Sequence, residues 1–440
     1  MSIWSQASEI ALATPPERNR YADFLRAVSI LMVILGHWLM TTAHYDASTG
    51  AITPILALDV VPWSAWLTWG FQVMPIFFIV GGFSNGMSLA SAQKRQLSYP
   101  QWLAGRLQRL LTPLTLLVVC WALLAFALKV LGIQAEYIKQ LSQAALVPTW
   151  FLAIYTMIVL LAPLSYRLWQ RWGYWSLLAY ILLAVLVDTL FFVEGFQWLG
   201  WTNYFWVWLA MHHLGFAWLD RRLGNPGNLL LIGLVSLAVL AALIFFGPYP
   251  VAMAGSPGEV VSNTLPPKVT LIALGLFQFG LLLAFEKPMN QLLQKHRVWT
   301  STVIVNTMIM TVYLWHMTVL IGLMALAYFL GGFGLTMLTG SPEWWATRPL
   351  WIAASALVLL PLALALSPLE RIASGKSGDS LTALRLIAGA MMAGLGIALA
   401  SLWGFNGQPM SFGNTGIILL MLGGAWVCGV TLRQQASRSG

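Results

Sequence analysis

Charge is what this sequence has least of. Only 8% of its 440 residues are Asp, Glu, Lys or Arg, while 59% are hydrophobic; a soluble globular chain carries roughly a quarter charged residues. So few charges cannot cover the surface of one or two water-soluble domains of this length, and the shortage of polar residues excludes disorder as well. Cysteine is almost absent. Cys120 and Cys428 both sit in apolar stretches, which excludes a disulfide scaffold. Histidine is also scarce, and no HxxxH or HxxE pattern accompanies the adjacent His212 and His213. Neighbours on a helix point about 100° apart, so no metal site is expected. A small-residue cleavage site close behind the first apolar run is missing too, and no removable signal peptide is expected.

What lies between the few charges is apolar. Twelve stretches can be cut at charge clusters and Pro/Gly-rich breaks: near 23–43, 64–88, 107–131, 150–166, 174–193, 200–219, 228–247, 268–285, 301–330, 348–367, 384–403 and 413–432. At about 20 residues, each reaches across the ~30 Å of a bilayer's hydrocarbon. The 23 Trp residues suit membrane–water interfaces. With the N-terminus inside, 19 of the 23 Lys and Arg fall in inner segments, leaving Lys129, Lys139, Lys268 and Arg348 outside. Cytoplasmic loops collect basic residues in this way. The expected fold is therefore all-α: a polytopic transmembrane helix bundle of about 12 spans with both termini cytoplasmic. The net charge of +9 describes its cytoplasmic face, with no nucleic-acid partner. The outer loops, around 44–63, 132–149 and 248–267, leave no room for a soluble domain.

Ionisable groups inside spans are costly and mark functional sites by default. In the first span Asp23, Arg26 and His37 are separated by three and then eleven residues, which places them on one helical stripe flanked by Ser29, Val33 and Gly36. That stripe reads either as a helix-end anchor plus an interior hydrogen-bonded histidine, or as a general base approached from a charged cytoplasmic mouth. Histidine suits the second role because its ordinary pKa lies near 6.5. In the ninth span Asn306, Tyr313 and His316 form a second polar stripe, whose alternative is an interhelical hydrogen bond. Asp188 in the fifth span is a buried acid placed to orient a histidine, pair with an arginine or sit hydrated at the outer interface. Arg106 and Arg109, one turn apart at the entrance of the third span, act either as positive-inside anchors or as a clamp for phosphates. Gly378-Asp379-Ser380-Leu381 spells a serine-esterase signature but lacks the α/β domain that signature needs.

At these residues the sequence resembles the acyltransferase family 3 of integral membrane proteins. RYADFLRAVSILMVILGHW carries an Arg eleven positions before a His, here Arg26 and His37. MPIFFIVGGFSNG (Met74 to Gly86) is similar to the family's P-x-F-F…S-G-F segment. RLQRLLTP, with Arg106, Arg109 and Pro113, resembles R-x-x-R-L-x-x-P, Trp150-Phe151-Leu152 resembles W-F-L, and Tyr313-Leu314-Trp315-His316 resembles Y-L-x-H. Two departures stand out: Gly81 replaces the Ser of S-G-F, and no pair of Glu follows Trp150.

The resemblance divides the chain into a cytoplasmic tail (1–22), a membrane acyltransferase core (23–370) and two additional helices with a short tail (371–440). It implies transfer of an acyl group, commonly acetyl, from cytoplasmic acyl-CoA as co-substrate to a hydroxyl of an extracytoplasmic glycan, glycolipid or small molecule, in a bacterial-type plasma membrane and among its lipids. His37 is then the catalytic base, helped by Arg26. Arg106 and Arg109 hold the CoA phosphates, and Trp150, Asn306, Tyr313, His316 and Asp188 line the substrate pocket. A secondary transporter or flippase with a buried His/Asp proton relay is the other reading.

Overall fold

The computed structural model describes residues 3–15, 17–255, 259–372, 382–406 and 411–428. The chain opens with α1 (Ile3–Leu12), α2 (Arg20–Met40), a hairpin of β1 (Thr41–Asp46) and β2 (Ala51–Leu56), and the single turns α3 (Ala57–Val60) and α4 (Thr68–Phe71). Next come α5 (Met74–Lys94), α6 (Tyr99–Val130), α7 (Ala135–Leu146), α8 (Trp150–Trp172), α9 (Tyr174–Phe192), α10 (Asn203–Leu219) and α11 (Pro226–Phe246). The rest is α12 (Val269–Ala284), α13 (Glu286–Leu292), α14 (His296–Thr307), α15 (Ile309–Phe329), α16 (Pro342–Ile372), α17 (Ala383–Trp403) and α18 (Phe412–Cys428). Among the described residues nine helical segments are long and apolar enough to cross a membrane, or ten if the bent pair α12–α13 is one span. The molecule is a multi-pass helical membrane protein.

The helix starts are written locally. The Asn19 side chain accepts from the Ala22 N–H (3.0 Å) and opens α2, Asn225 caps α11 just before Pro226, and Thr382 caps α17. Ser98 and Gln101 pair at the start of α6, whose first turn also holds Pro100. Each side chain satisfies amide donors that the first helical turn leaves open.

The structure corrects several boundaries. The tail contains α1, whose Ala7 and Ala11 are buried and which packs on α14. The stretch near 44–63 holds most of the hairpin, a small addition to the helical bundle; its turn is held by the Asp46 carboxylate, which accepts from the Ser48 hydroxyl (2.7 Å) and N–H (2.8 Å) and the Thr49 hydroxyl (2.9 Å). Those bonds hold the Asp46 carboxyl down to about 2. The expected span 301–330 is two helices with a break at Met308. α6 begins at Tyr99, about two turns before Arg106 and Arg109. Gly378–Leu381, Lys376, Arg433 and Arg438 lie outside the described residues.

The chain forms two compact units. Unit 1 comprises residues 1–87, 164–309 and 323–355; unit 2 comprises 88–163, 310–322 and 356–440. In unit 1, α5 and α10 cross backbone to backbone. A Cβ at Gly82 would lie 1.9 Å from the His212 carbonyl oxygen, and one at Gly215 would lie 2.1 Å from that of Ile79. Glycine at 82, within the segment that resembles P-x-F-F…S-G-F, is thus a packing requirement. Gly82→Ala is expected to force α5 off α10 at about 1–3 kcal/mol, read as a lower unfolding midpoint in lipid nanodiscs; an unchanged midpoint would refute the close crossing. In unit 2, α17 and α18 meet along Gly389, Gly396, Gly416 and Gly423, where an added Cβ would press on the opposite backbone. Small residues let membrane helices approach in this way. The pair packs on α6 and α17 also meets α7.

Candidate active site

In unit 1 the stripe on α2 exists, with its members at different heights. The Asp23 carboxylate joins two cations: Arg18 through Nε, and Arg26 through Nη2 at 2.7 Å. Arg26 also donates from Nε (2.9 Å) and Nη2 (2.7 Å) to Asn306 Oδ1 on α14. Asn306 Nδ2 donates back to the Asp23 carbonyl (3.0 Å) and to that of Thr302 (2.9 Å). This reciprocal set fixes Arg26 in the second turn of α2. Eleven residues further, about 16 Å along the axis, His37 lies in the last turn, where its carbonyl accepts from the Thr41 N–H that ends the helix. Gly36 beside it meets the Phe71 ring. The hairpin starts at once after this turn, so His37 is near the far end of the span from Arg26.

At the N-terminal end of α2, unit 1 holds a cleft of about 740 Å³ whose lining includes Asn19, Phe83, Trp218, Arg221, Glu286 and Lys287. Trp218 Nε1 donates to Glu286 (3.0 Å). Arg221, one of the lining residues, has a left-handed backbone (φ 53°), a conformation uncommon outside glycine. The sequence had marked Arg221 and Lys287 only as inner-loop cations.

Among the described residues Asp188 orients no histidine and forms no arginine pair. Its carboxylate accepts from Asn203 Nδ2 (2.9 Å), the Tyr249 hydroxyl (3.1 Å) and the Val269 N–H (2.8 Å). Beside it Lys268 is fully buried, donating to the Pro266 carbonyl (3.1 Å) and lying 4.0 Å from the centre of the Phe191 ring. Burial pushes the Lys268 ammonium down to about 8, with the Asp188 charge pulling the other way. This network ties α9 to the segment before α12. His213 is similarly occupied, by Ser165 and Ser176 at 3.1 Å each, and His212 meets Asn85 Nδ2 at 3.1 Å.

In unit 2 the late motif meets the Trp150-Phe151-Leu152 motif. The Tyr313 hydroxyl donates to the Pro148 carbonyl (2.6 Å), and the Tyr313 ring packs edge-on against Phe151, next to the half-buried Trp150. His316, fully buried, lies with Nδ1 2.6 Å from the Tyr313 carbonyl. A carbonyl can only accept, so Nδ1 is the donor in this contact. Arg109 on α6 is exposed and Arg106 half-buried. The break at Met308 places Asn306 on α14 and Tyr313 and His316 on α15, so the three do not lie on one continuous helix.

Helices that cross a bilayer while keeping Asp, Arg, His and Asn in their interior define a polytopic membrane protein with an intramembrane polar site. The family model of the acyltransferase domain, acyltransferase family 3, matches residues 19–368, and the chain belongs to that family. The matched residues include Arg26, His37, Arg106, Arg109, Trp150, Tyr313 and His316; α17 and α18 lie beyond them. No curated protein and no solved structure matches the chain.

Proposed function

We propose that this membrane acyltransferase moves an acyl group, acetyl in the first instance, from cytoplasmic acyl-CoA to a hydroxyl of an extracytoplasmic glycan or glycolipid. Its setting is a bacterial-type plasma membrane, crossed about 12 times with both termini inside. The observation that carries the reading is the separation of Arg26 and His37 on one helix of this family. A cation fixed near the cytoplasmic end and a base near the outer end suit a donor whose anionic head stays inside while its thioester is presented at depth.

His37 takes the proton of the acceptor hydroxyl as that oxygen attacks the thioester carbonyl. The new C–O bond forms, the C–S bond breaks, and the proton passes to the departing thiolate. Arg26, held by Asp23 and Asn306, is a positioning residue. Arg106 and Arg109 bind the CoA phosphates; Trp150, Tyr313 and His316 shape the pocket, and Asn306 and Asp188 act through the groups they hold.

Proteoliposomes loaded with acyl-labelled CoA inside should place label on hydroxylated glycan or glycolipid outside; label retained wholly on CoA would refute the transfer. Loss of a charge-assisted contact of about 1.5–3 kcal/mol makes Arg106→Ala raise KM for acyl-CoA by about 10–100-fold with kcat less affected. An unchanged KM removes Arg106 from the donor site.

A further inference from the structure

Unit 1 buries a cation that the reaction above does not use. On α16, Trp344, Arg348, Trp351 and Ser355 follow at offsets of four, seven and eleven residues, a single stripe of the helix. Arg348 is only 2% exposed. Its guanidinium carbon lies 4.3 Å from the Trp344 ring centre and 5.6 Å from that of Trp351. Among the described residues Nε, Nη1 and Nη2 all lack an acceptor, and so does the buried hydroxyl of Ser355 two turns on. Two other interior cations of unit 1 are provided for: Arg26 has Asp23 and Asn306, and Lys268 has the Pro266 carbonyl beside Asp188.

Indole faces stabilise a cation from above and below, but the guanidinium N–H groups point outward in its plane, where the rings offer nothing. A buried charge with no counter-charge is strongly unfavourable, and a planar fork of donors matches a two-oxygen anion better than any other partner. We propose that Arg348, between Trp344 and Trp351, is the anchor of an oxyanion subsite that holds a carboxylate or phosphoryl group of the acceptor. The word acceptor rests on the acyltransfer reading; the oxyanion rests on the geometry alone. The position fits. Trp344 Nε1 donates to the Thr42 hydroxyl (3.5 Å), five residues after His37 and on the same hairpin that follows α2. The segment before α16 has Gly331, Gly332, Gly334 and Gly340 at positive φ, and Gly334 faces the Trp351 ring with no side chain between.

The test uses the full-length protein in phosphatidylcholine nanodiscs without acyl-CoA, since a ligand that binds only the folded state raises the unfolding midpoint. Methyl β-glucuronide or inorganic phosphate should raise it by a few degrees, and the neutral methyl β-glucoside should not. The rise should vanish in Arg348→Gln and Arg348→Met, while the ligand-free midpoint of Arg348→Met equals or exceeds that of the wild type. A glucuronide response assigns a sugar carboxylate, and a phosphate response assigns a phosphoryl group. No response to either anion, or one that persists in Arg348→Met, overturns the subsite. So does an Arg348→Met protein that unfolds earlier without ligand while Arg348→Lys keeps the wild-type midpoint and shows no anion response, because the arginine is then packing material. A rise that needs only phosphatidylglycerol in the nanodisc assigns a lipid headgroup and overturns the acceptor role. Anion binding by a protein that transfers no acyl group would instead refute the acyltransfer reading and leave the subsite standing.

Discussion

His37→Ala is expected to lower acyl transfer by about 10²–10⁴-fold, the usual contribution of a positioned general base, with little change in the amount of folded protein in the membrane. The expectation follows from position. His37 sits in the last turn of α2, whose helical start is capped by Asn19 and whose Arg26 is locked to Asp23 and Asn306, so much of what holds the helix lies two turns or more from the imidazole. Two companions separate catalysis from packing. His37→Gln keeps hydrogen-bonding capacity and cannot relay a proton; it should be as inactive as the alanine variant. Added imidazole should restore part of the His37→Ala rate, because the vacated space accepts a free base, and should do nothing for His37→Gln. Wild-type turnover in His37→Gln, measured on labelled acyl-CoA at equal folded protein, would remove the base assignment. Arg26→Ala should be less harmful to kcat than His37→Ala, since Arg26 acts through the geometry of α2 and the donor's charge.

The part of this site that lies on α2 was legible in the sequence, because helical periodicity alone aligns Asp23, Arg26 and His37. The apolar runs likewise mark most of the membrane helices. Other features carry weaker signals. The tail's Ile3, Ala7 and Ala11 are spaced for one helix face, but ten residues are too few for periodicity to stand out from a polar tail. The hairpin signals itself through β-branched residues around Asp46-Ala47-Ser48-Thr49-Gly50, a turn-forming sequence inside a stretch read as a loop. The break at Met308 could not be read: neither Gly nor Pro marks it, and the apolar run continues through it, so Asn306 and Tyr313 looked like one stripe. The cleft near Arg221 draws on three distant segments, around Asn19, Trp218 and Glu286, and no local pattern announces such a meeting. Arg348 illustrates the same limit. Charge counting only sets it apart from the inner-loop cations, whereas its burial beside two indoles, without an acceptor among the described residues, is a property of packing.

The second large effect concerns stability. Asp188→Ala is expected to destabilise the folded protein by about 3–5 kcal/mol, the range for removing one partner of a buried charge network. That is a sizeable share of the 5–15 kcal/mol that holds a typical domain. Three donors then lose their acceptor: Asn203 Nδ2, the Tyr249 hydroxyl and the Val269 N–H. Lys268 also remains buried without the negative charge that offsets it. Asp188→Asn keeps the shape but presents an amide where donors already converge, so it should fall between wild type and alanine. Adding Lys268→Met to Asp188→Asn should recover part of the loss, because the second change removes the uncompensated cation, and the double-mutant cycle measures that coupling. The pH dependence provides a separate check. Lys268 has a folded-state value near 8 against an ordinary 10.5, so between these limits the unfolded chain binds more protons and stability rises with pH. Below about 8 both states are protonated and the cost of the buried ammonium is constant. Lys268→Met should flatten the rising limb. Asp188→Ala should start it at lower pH, since losing the carboxylate depresses the lysine further. Unfolding midpoints in neutral-lipid nanodiscs across this range decide the matter. If Asp188→Ala changes stability by less than about 1 kcal/mol and the alkaline limb is the same with and without Lys268, these groups do not carry the C-terminal end of α9.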